Sequence, residues 1–597
     1  MKDGFVKVAA ASPVIRVADC EYNARQVIDC IRRAGEQGVK VLVFPELTLT
    51  GVSCWDLFKH RVILDGAKAA LQTVVEATRG IDMLIFVGLP LAEGARMESA
   101  AAAIWSGELL SPSADGLYRH AALPELQVAV ELGQDLNALD RPATLFAAAG
   151  ATVIAQMADF PATVTSTLDA EQKLRYESRY LRAGLILAAP GTGESTTDRV
   201  YTGLCLVAEN GEILAEAEGA GSLAVSEIDV ERLVNLRREM EDFDWTDEEL
   251  PVTEWGEGLS ASAITRHYNK HPHLPETAEE LPAYCERMID MQVAGLVKRM
   301  EYAHLDHCVV GISGGVDSTL AVMISAMAVK RMGLPSTNVI ACTMPCFGTS
   351  SRTKSNAIVV AEQWGCDVRV IDIGKSVYQH FDDIGHAHDD YSVAFENAQA
   401  RERTQILMDI SNKVNGLDVG TEDLSEYIDG WCTYNGDHTS MYDVNLGLTK
   451  TQVRAAVGHI ARFTEDKLLK AALYDVLDCP VTPELLLIHD DLIEQKSEDA
   501  VGSYSLQDFF TYHILQDGFS PSKTFRLAKA AYGDEFTDEE LKRWLTSWCR
   551  RLFSQQFKRS CLMDGPAVMG FTVSPRSGWL IPSDAEATLF LRDLEKC

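Results

Sequence analysis

The residues with the most chemistry in this chain stand together at Ser313-Gly-Gly-Val-Asp-Ser318, directly after the apolar run Cys308-Val-Val-Gly-Ile312. Two adjacent glycines let backbone N–H groups come close to a phosphate, the serines add hydroxyl donors, and a helix beginning here turns its positive end toward the anion. Asp317 supplies a hard oxygen ligand for Mg²⁺. The Lys-Ser/Thr ending of a Walker loop is missing, so the pattern does not read as γ-phosphoryl transfer. A bare Ser-Gly-Gly is an ordinary strand-to-helix turn. It is the strand before it and the apolar text Thr319 to Arg331 after it that point to nucleotide phosphate.

The elements that must position this loop follow from apolar periodicity. A helix is expected over Met288 to Met300, a strand over Cys308 to Ile312, and further strands near Val339 to Thr343 and Val368 to Ile373 with helices between. That alternation describes a doubly wound parallel sheet. At the start of the chain, strands over Val6 to Ala10 and Val39 to Phe44 flank a helix over Tyr22 to Gly38. More strands are expected over Met83 to Gly88, Ala151 to Ala155 and Leu185 to Ala189. Between the two sets lie acidic text from Glu239 to Glu249, then Gly256 to Ser262 and His271-Pro-His-Leu-Pro275. The expected domains are therefore 1–235, a linker 236–275, and 276–597.

Composition narrows the class. The 597 residues are 47% hydrophobic and 24% charged, without a run of about 18 apolar residues, which is a globular pattern that spans no membrane. Lys7 and Pro13 interrupt the apolar stretch within Met1 to Asn23, so no secretory leader is read there, and the expected location is the cytoplasm. With 54 basic against 87 acidic residues the net charge is −33, which argues against nonspecific binding to nucleic acid or anionic membrane. The 14 cysteines follow no repeating spacing and are expected to be reduced. Cys342 and Cys346, with no second pair nearby, read as structural and not as a metal clip.

The loop pattern resembles the pyrophosphate-binding loop of the ATP-pyrophosphatase families. Four further stretches choose among them: Glu396-Asn-Ala-Gln-Ala-Arg-Glu-Arg-Thr404, Gly420-Thr-Glu-Asp-Leu-Ser-Glu426, Gly430-Trp-Cys-Thr-Tyr-Asn-Gly-Asp-His438 and Gln555-Gln-Phe-Lys-Arg-Ser560. In this order they resemble the signatures of the glutamine-dependent NAD synthetases. The resemblance implies an α/β chain: a nitrilase-like α-β-β-α N-terminal domain and a doubly wound parallel-sheet ATP-pyrophosphatase domain of the adenine nucleotide α-hydrolase-like kind.

It also implies the reaction, in which deamido-NAD is adenylylated by ATP with Mg²⁺ and then amidated, releasing AMP and pyrophosphate. Carried over position by position, it puts Gly311, Ile312, Ser313, Gly314, Gly315, Val316, Asp317, Ser318, Thr421 and Lys450 at ATP, and Asp317 with Glu426 at the metal. Glu426 also adjoins deamido-NAD, with Asn397, Trp431, Cys432, Thr433, Tyr434, Asp437 and Lys558; Asp317, Glu426 and Lys450 are the catalytic set. Singly, Arg401 and Arg403 read as surface pairs, Trp431 as core, and Lys558 with Arg559 as a solvated helix end. Three positions depart from the family pattern: Glu422 stands where Gly is usual, and Cys346 and Ser503 replace a usual Gly and Pro.

Phe44-Pro-Glu-Leu-Thr-Leu-Thr-Gly51 and Gly193-Glu-Ser-Thr-Thr-Asp198 resemble the nitrilase-type glutaminase domain fused to these synthetases. That chemistry uses a Glu base, a Lys beside the oxyanion and a Cys nucleophile. Glu46 fills the first position, as a vestigial base. His120-Ala-Ala-Leu-Pro124 and Met157-Ala-Asp159 stand where the Lys and Cys stretches belong, and no cysteine occurs between Cys54 and Cys205 and no lysine between Lys68 and Lys173. The expectation is a degenerate glutaminase, ammonia as the nitrogen donor, a homo-oligomer, and room for a separate glutaminase as partner. Two other readings are open here. A noncatalytic scaffold would have no use for an intact nucleotide loop with Asp317 and Glu426, and a ligase for another carboxylate would be separated by a pyrophosphate-release screen.

Overall fold

The structure is a computed structural model that describes the chain except residues 1, 95, 114–115, 134–140, 240–242, 244, 247–248, 259–262, 348–350, 480–501 and 577. It separates into two compact units, Met1–Arg266 and His267–Cys597.

The first unit is built on two sheets. One contains β1 (Phe5–Ser12), β2 (Val41–Val43), β3 (Leu84–Glu93), β4 (Arg96–Trp105), β5 (Glu108–Ser111) and β12 (Ser222–Asp229), in the order β12-β1-β2-β3-β4-β5. The other contains β6 (Leu117–His120), β7 (Leu123–Leu132), β8 (Val153–Met157), β9 (Gly184–Ala188), β10 (Cys205–Glu209), β11 (Glu212–Ala217) and β13 (Val252–Trp255), in the order β11-β10-β9-β8-β7-β6-β13. Alternation along the strands divides the side chains between two layers. Val6, Val8, Val41, Val43 and Phe86 of the first sheet face Val128, Val130, Val153, Ala155 and Ile186 of the second. The opposite faces pack on helices: Ala9, Leu42 and Ile85 against Cys20–Glu36 and Arg61–Ala77, and Ile154, Leu185 and Leu206 against Pro142–Ala148 and Ser166–Leu181. This is the α-β-β-α layering that the resemblance implies. Every residue of β1 is buried, because both of its faces are covered.

Local chemistry moves some expected boundaries. The first helix begins at Cys20, two residues before the expected Tyr22, because the Asp19 carboxylate accepts the Tyr22 N–H at 3.1 Å and caps it. The stretch expected as linker, 236–275, includes β13, which pairs in parallel with β6 from Val252 opposite Leu117 to Trp255 opposite His120. A four-residue edge strand within acidic text leaves no period in the sequence. Parts of that text, 240–242, 244, 247–248 and 259–262, lie outside the described residues.

The second unit has one five-stranded sheet of β14 (His307–Gly311), β15 (Val339–Thr343), β16 (Asp367–Val370), β17 (Gly416–Gly420) and β18 (Tyr442–Asp443), all parallel, in the order β16-β15-β14-β17-β18. The chain leaves β14 toward β15 on one side and returns to β17 on the other. The switch point therefore falls between β14 and β17, where doubly wound sheets open a crevice beyond the strand ends. The helix Val316–Arg331 is apolar and buried on nearly all sides because it lies between the sheet and other helices, including Leu281–Ala303 and Lys450–Phe463.

Candidate functional site

Past the end of β14 the chain turns through Ile312 to Gly315. Gly314 takes φ +93, in the left-handed region that favours glycine, and this turns the loop back over the first turn of Val316–Arg331. Two serines brace it: the Gly315 N–H donates to Ser313 Oγ at 3.2 Å and the Ser313 N–H donates to Ser318 Oγ at 3.3 Å. The start of this helix, Val316 to Ser318, lines the crevice, where its N–H groups suit an anion.

Beyond β17 the chain enters the short helix Leu424–Asp429. The Asp423 carboxylate caps it, accepting the Glu426 N–H at 2.9 Å. The cap sets the direction of Glu426 and brings Asp423 itself beside Asp317. Oxygens of Asp317, Asp423 and Glu426 lie within 4.8 Å of one another. Asp317 Oδ1 is buried without a hydrogen-bond donor, which is the state of an atom that a cation would satisfy, and Asp423 Oδ2 faces a cation already, the Lys450 ammonium. Hard carboxylate oxygens in this number suit Mg²⁺, so the residues fit the ion.

Lys450 reaches the same point from the first position of the helix Lys450–Phe463, fully buried. Its Nζ lies 2.8 Å from Asp317 Oδ2, 3.1 Å from Asp423 Oδ2 and 2.8 Å from Glu426 Oε1. Burial works to lower its pKa, but the attraction of the three carboxylates prevails and holds it well above the ordinary range. Burial raises Asp317, with Lys450 acting against the shift. Glu422, the residue that departs from the family pattern, is pushed well above the usual carboxylate range by burial and then by Glu426 and Asp437.

A cavity of about 510 Å³ opens over these residues. Its wall takes in Gly311 through Ser318, Thr421, Glu426, Asn397, Trp431, Cys432, Thr433, Asp437 and Lys558. Lys450 lies beneath the wall. Tyr434 is the expected residue that the structure leaves out of it: the ring stacks on His438 at 5.3 Å and is 38% exposed. Thr433 Oγ1 donates to Asn397 Oδ1 at 2.9 Å, and the Thr433 N–H donates to Asp437 Oδ1 at 2.6 Å, so three of the expected dinucleotide residues form one network.

Lys558 and Arg559 are not a solvated helix end. Lys558 Nζ donates to Gly430 O at 2.6 Å and Cys432 O at 2.7 Å, and the buried Arg559 donates to Tyr427 O and Ile428 O at 3.1 and 2.7 Å. Together they satisfy the orphan carbonyls at the end of Leu424–Asp429. Gly430 is required there, with φ +61, because a Cβ would come within 2.4 Å of Gln555 Cβ.

Arg403, read as a surface pair, is in the wall with its Nε donating to Met344 O at 3.2 Å. Arg551, which the sequence reading missed, is also in the wall, its guanidinium 5.2 Å over the Trp431 ring. Asp423 was missed as well, although an Asp three residues before Glu426 is an N-cap signal.

In the first unit Glu46 follows β2, and its Oε2 accepts the Gly133 N–H at 2.8 Å. A Cβ at 133 would meet both Glu46 Oε2, at 2.7 Å, and Asp159 Oδ1, at 2.3 Å, so these carboxylates crowd one point. Met157 ends β8 with its side chain in the core between the sheets. His120 ends β6, fully buried and edge-on to Trp255 at 4.7 Å, with Nδ1 accepting the Ala122 N–H and Nε2 without a partner. Burial lowers its pKa. The unit's four cysteines, Cys20, Cys30, Cys54 and Cys205, are all buried, and burial raises each thiol, to about 11 for Cys30 and Cys54 and about 12 for Cys205.

Comparison with known proteins places two family models on the chain: carbon-nitrogen hydrolase over residues 7–157 and NAD synthase over residues 288–472. A glutamine-dependent NAD(+) synthetase of Mycobacterium tuberculosis is 32% identical over 99% of this chain and 98% of its own length. One from Thermotoga maritima is 25% identical over 76% of this chain and 80% of its own. Among solved structures, a glutamine-dependent NAD(+) synthetase from Cytophaga hutchinsonii covers 99% of this chain and 100% of that chain at 16% identity and a TM-score of 0.42. No helix among the described residues is long and apolar enough to cross a membrane.

Proposed function

From the premise that the chain belongs to the glutamine-dependent NAD(+) synthetase family and is a ligase that forms NAD(+), we propose that its second unit amidates deamido-NAD through an adenylylated intermediate with ammonia as nitrogen donor. A nicotinate carboxylate oxygen attacks the α-phosphorus of ATP, and the P–O bond to pyrophosphate breaks with its electron pair leaving on pyrophosphate. The lone pair of ammonia then attacks the acyl carbon, the nitrogen sheds a proton, and the C–O bond to AMP breaks.

Each part of the site has a task in these two displacements. The N–H groups and hydroxyls of Gly311 to Ser318 receive the pyrophosphate, and Thr421 and Lys450 hold ATP. Asp317 and Glu426 would hold Mg²⁺, which when bound draws charge from the phosphate oxygens. Asn397, Trp431, Cys432, Thr433, Asp437 and Lys558 hold deamido-NAD, and Tyr434 supports them from behind through His438. The oligomer and a separate glutaminase partner belong to the same proposal, as does a cytoplasmic site of action.

The observation that carries the choice of ammonia is the thiol chemistry of the first unit. Glutamine hydrolysis of this type needs a thiolate and a cation beside the oxyanion. The four thiols there are buried and raised, and His120, neutral by burial, is no substitute for an ammonium. The test is NAD formation from ATP, Mg²⁺ and deamido-NAD with ammonium or glutamine in parallel. Ammonium should support it, and glutamate released from glutamine by the purified chain would overturn the reading.

A further inference from the structure

The cage of Asp317, Asp423 and Glu426 already contains a cation. Lys450 Nζ is within 3.1 Å of an oxygen from each of the three acids, and those oxygens are no more than 4.8 Å apart. A magnesium ion among them would need oxygens at about 2.0–2.1 Å. Ion and ammonium would draw on the same three oxygens, and the repulsion between two cations held so close takes back part of what the carboxylates give.

We propose that the Lys450 ammonium is the resident counter-ion of this cage and must leave before a divalent cation enters, with Asp423 the third carboxylate that holds it there. The inference rests on the proposed cation site of the synthetase reading, but concerns how that site is kept when empty of metal.

Besides the acids, the Tyr504 ring, 5.1 Å from Nζ, favours an ammonium at this point. Lys450 occupies the first position of its helix, where a positive charge opposes the helix dipole. Its backbone is pinned, the N–H donating to Ser425 Oγ at 2.9 Å, while four methylenes leave Nζ free to swing. Asp423 joins the two parts of the device: one oxygen caps the helix that carries Glu426, and the other faces Nζ. Asp317 belongs to the first turn after the phosphate loop, so an ammonium that leaves the cage on that side arrives at the nucleotide's phosphates. Nucleotide and metal then enter as a pair, the phosphate taking Lys450 as the cage takes the metal.

The test is direct binding of Mn²⁺, read by its electron paramagnetic resonance signal, to the full chain without nucleotide. Lys450→Met should bind Mn²⁺ at least tenfold more tightly than wild type. The double variant Asp423→Asn/Lys450→Met has two carboxylates and no ammonium, the same formal charge as the wild-type cage, and its lower burden of unpaired acid favours folding. It too should bind several-fold more tightly, and equal or weaker binding would overturn the proposal, since only net charge would then matter. A third measurement needs no variant: Mn²⁺ should speed acylation of Lys450 in the wild type, followed by peptide mass spectrometry, and unchanged or slower labelling would overturn it. Failure of the synthetase reading would be seen separately, as no pyrophosphate release dependent on deamido-NAD in the wild type.

Discussion

Replacing Lys558 by alanine removes two charge-assisted contacts, to Gly430 O at 2.6 Å and Cys432 O at 2.7 Å. These carbonyls begin the segment that carries Trp431, Cys432 and Thr433 on the cavity wall. A hydrogen bond to a charged group contributes about 1.5–3 kcal/mol. Both carbonyls are near the open cavity, so water replaces part of what is lost, and the net effect is that of about one such bond. The expected loss in deamido-NAD affinity is therefore roughly 10- to 150-fold. ATP binding should hardly change, because the loop from Gly311 to Ser318 has its own braces in Ser313 and Ser318. Stability should also be largely kept, since Arg559 still satisfies Tyr427 O and Ile428 O. Calorimetric titration of both ligands into wild type and Lys558→Ala reads the difference. Equal losses for the two ligands would show that the lysine holds the whole unit and would refute the assignment.

Asp317→Ala or Glu426→Ala should abolish NAD formation and leave the circular dichroism spectrum unchanged, because each removes an oxygen from a metal site whose charge neutralisation is worth several kcal/mol; normal turnover in either would count against the site. With ammonium as donor, the rate should rise with pH as the share of free NH₃ grows, and glutamine should yield neither NAD nor glutamate; a glutamine-supported rate would contradict this. Asp429, whose two carboxylate oxygens have no hydrogen-bond partner, is raised by burial from 3.8 to about 7. The folded protein therefore keeps a proton there that the unfolded chain loses above about pH 4, and stability falls as pH rises from about 4 to 7, by roughly 4 kcal/mol in all, and levels off above 7. Asp429→Asn should flatten that fall in urea unfolding between about pH 4 and 7, and an unchanged slope would show that this carboxyl loses its proton at the same pH in the folded and the unfolded chain. Glu46→Ala should cost about 1–3 kcal/mol by leaving the buried Gly133 N–H without its acceptor, with ammonium-supported NAD formation unchanged; a variant as stable as wild type would mean that this hydrogen bond does not form.

How much the sequence disclosed depended on how strongly local pattern and final environment agreed. The central strand β14 and the helix after it were legible because an apolar run meets two glycines and a second apolar run within 24 residues, His307 to Lys330, and most of it is buried. The antiparallel half of the first unit was not. β4 carries Ser99-Ala-Ala-Ala-Ala-Ile104, text that favours a helix by propensity, and only close packing between sheet and helices makes four small residues suitable for a strand. β16 ends at Val370, three residues before the expected Ile373, and the Ile371 N–H to Thr343 O bond joins the chain to β15 one residue further on. The signature residues were legible one at a time, but their relations were not. That Lys558 ties together the carbonyls of the dinucleotide segment, or that Asp423 completes an acid cage, depends on contacts over 24 to more than 120 residues of chain, which no local pattern contains.

If glutamine hydrolysis is absent from the first unit, as proposed, its fold need bear no mark of the loss. In the first, the position expected for a nucleophile is filled by Met157, whose thioether is part of the core between the sheets and adds apolar contact there. His120 likewise buries an aromatic face against Trp255. Glu46 is the acceptor for a buried backbone donor. Each of these residues has a packing or hydrogen-bonding task in the fold, so the presence of Glu46 does not by itself speak for hydrolysis. In the second unit the reverse holds. Asp317, Asp423 and Glu426 bring three carboxylates to one buried point, with a single lysine between them, an arrangement that costs stability and that no packing task requires. Unfavourable charge held in place by a capped helix and a braced loop is what a site has when its ligands, not its fold, are meant to balance it.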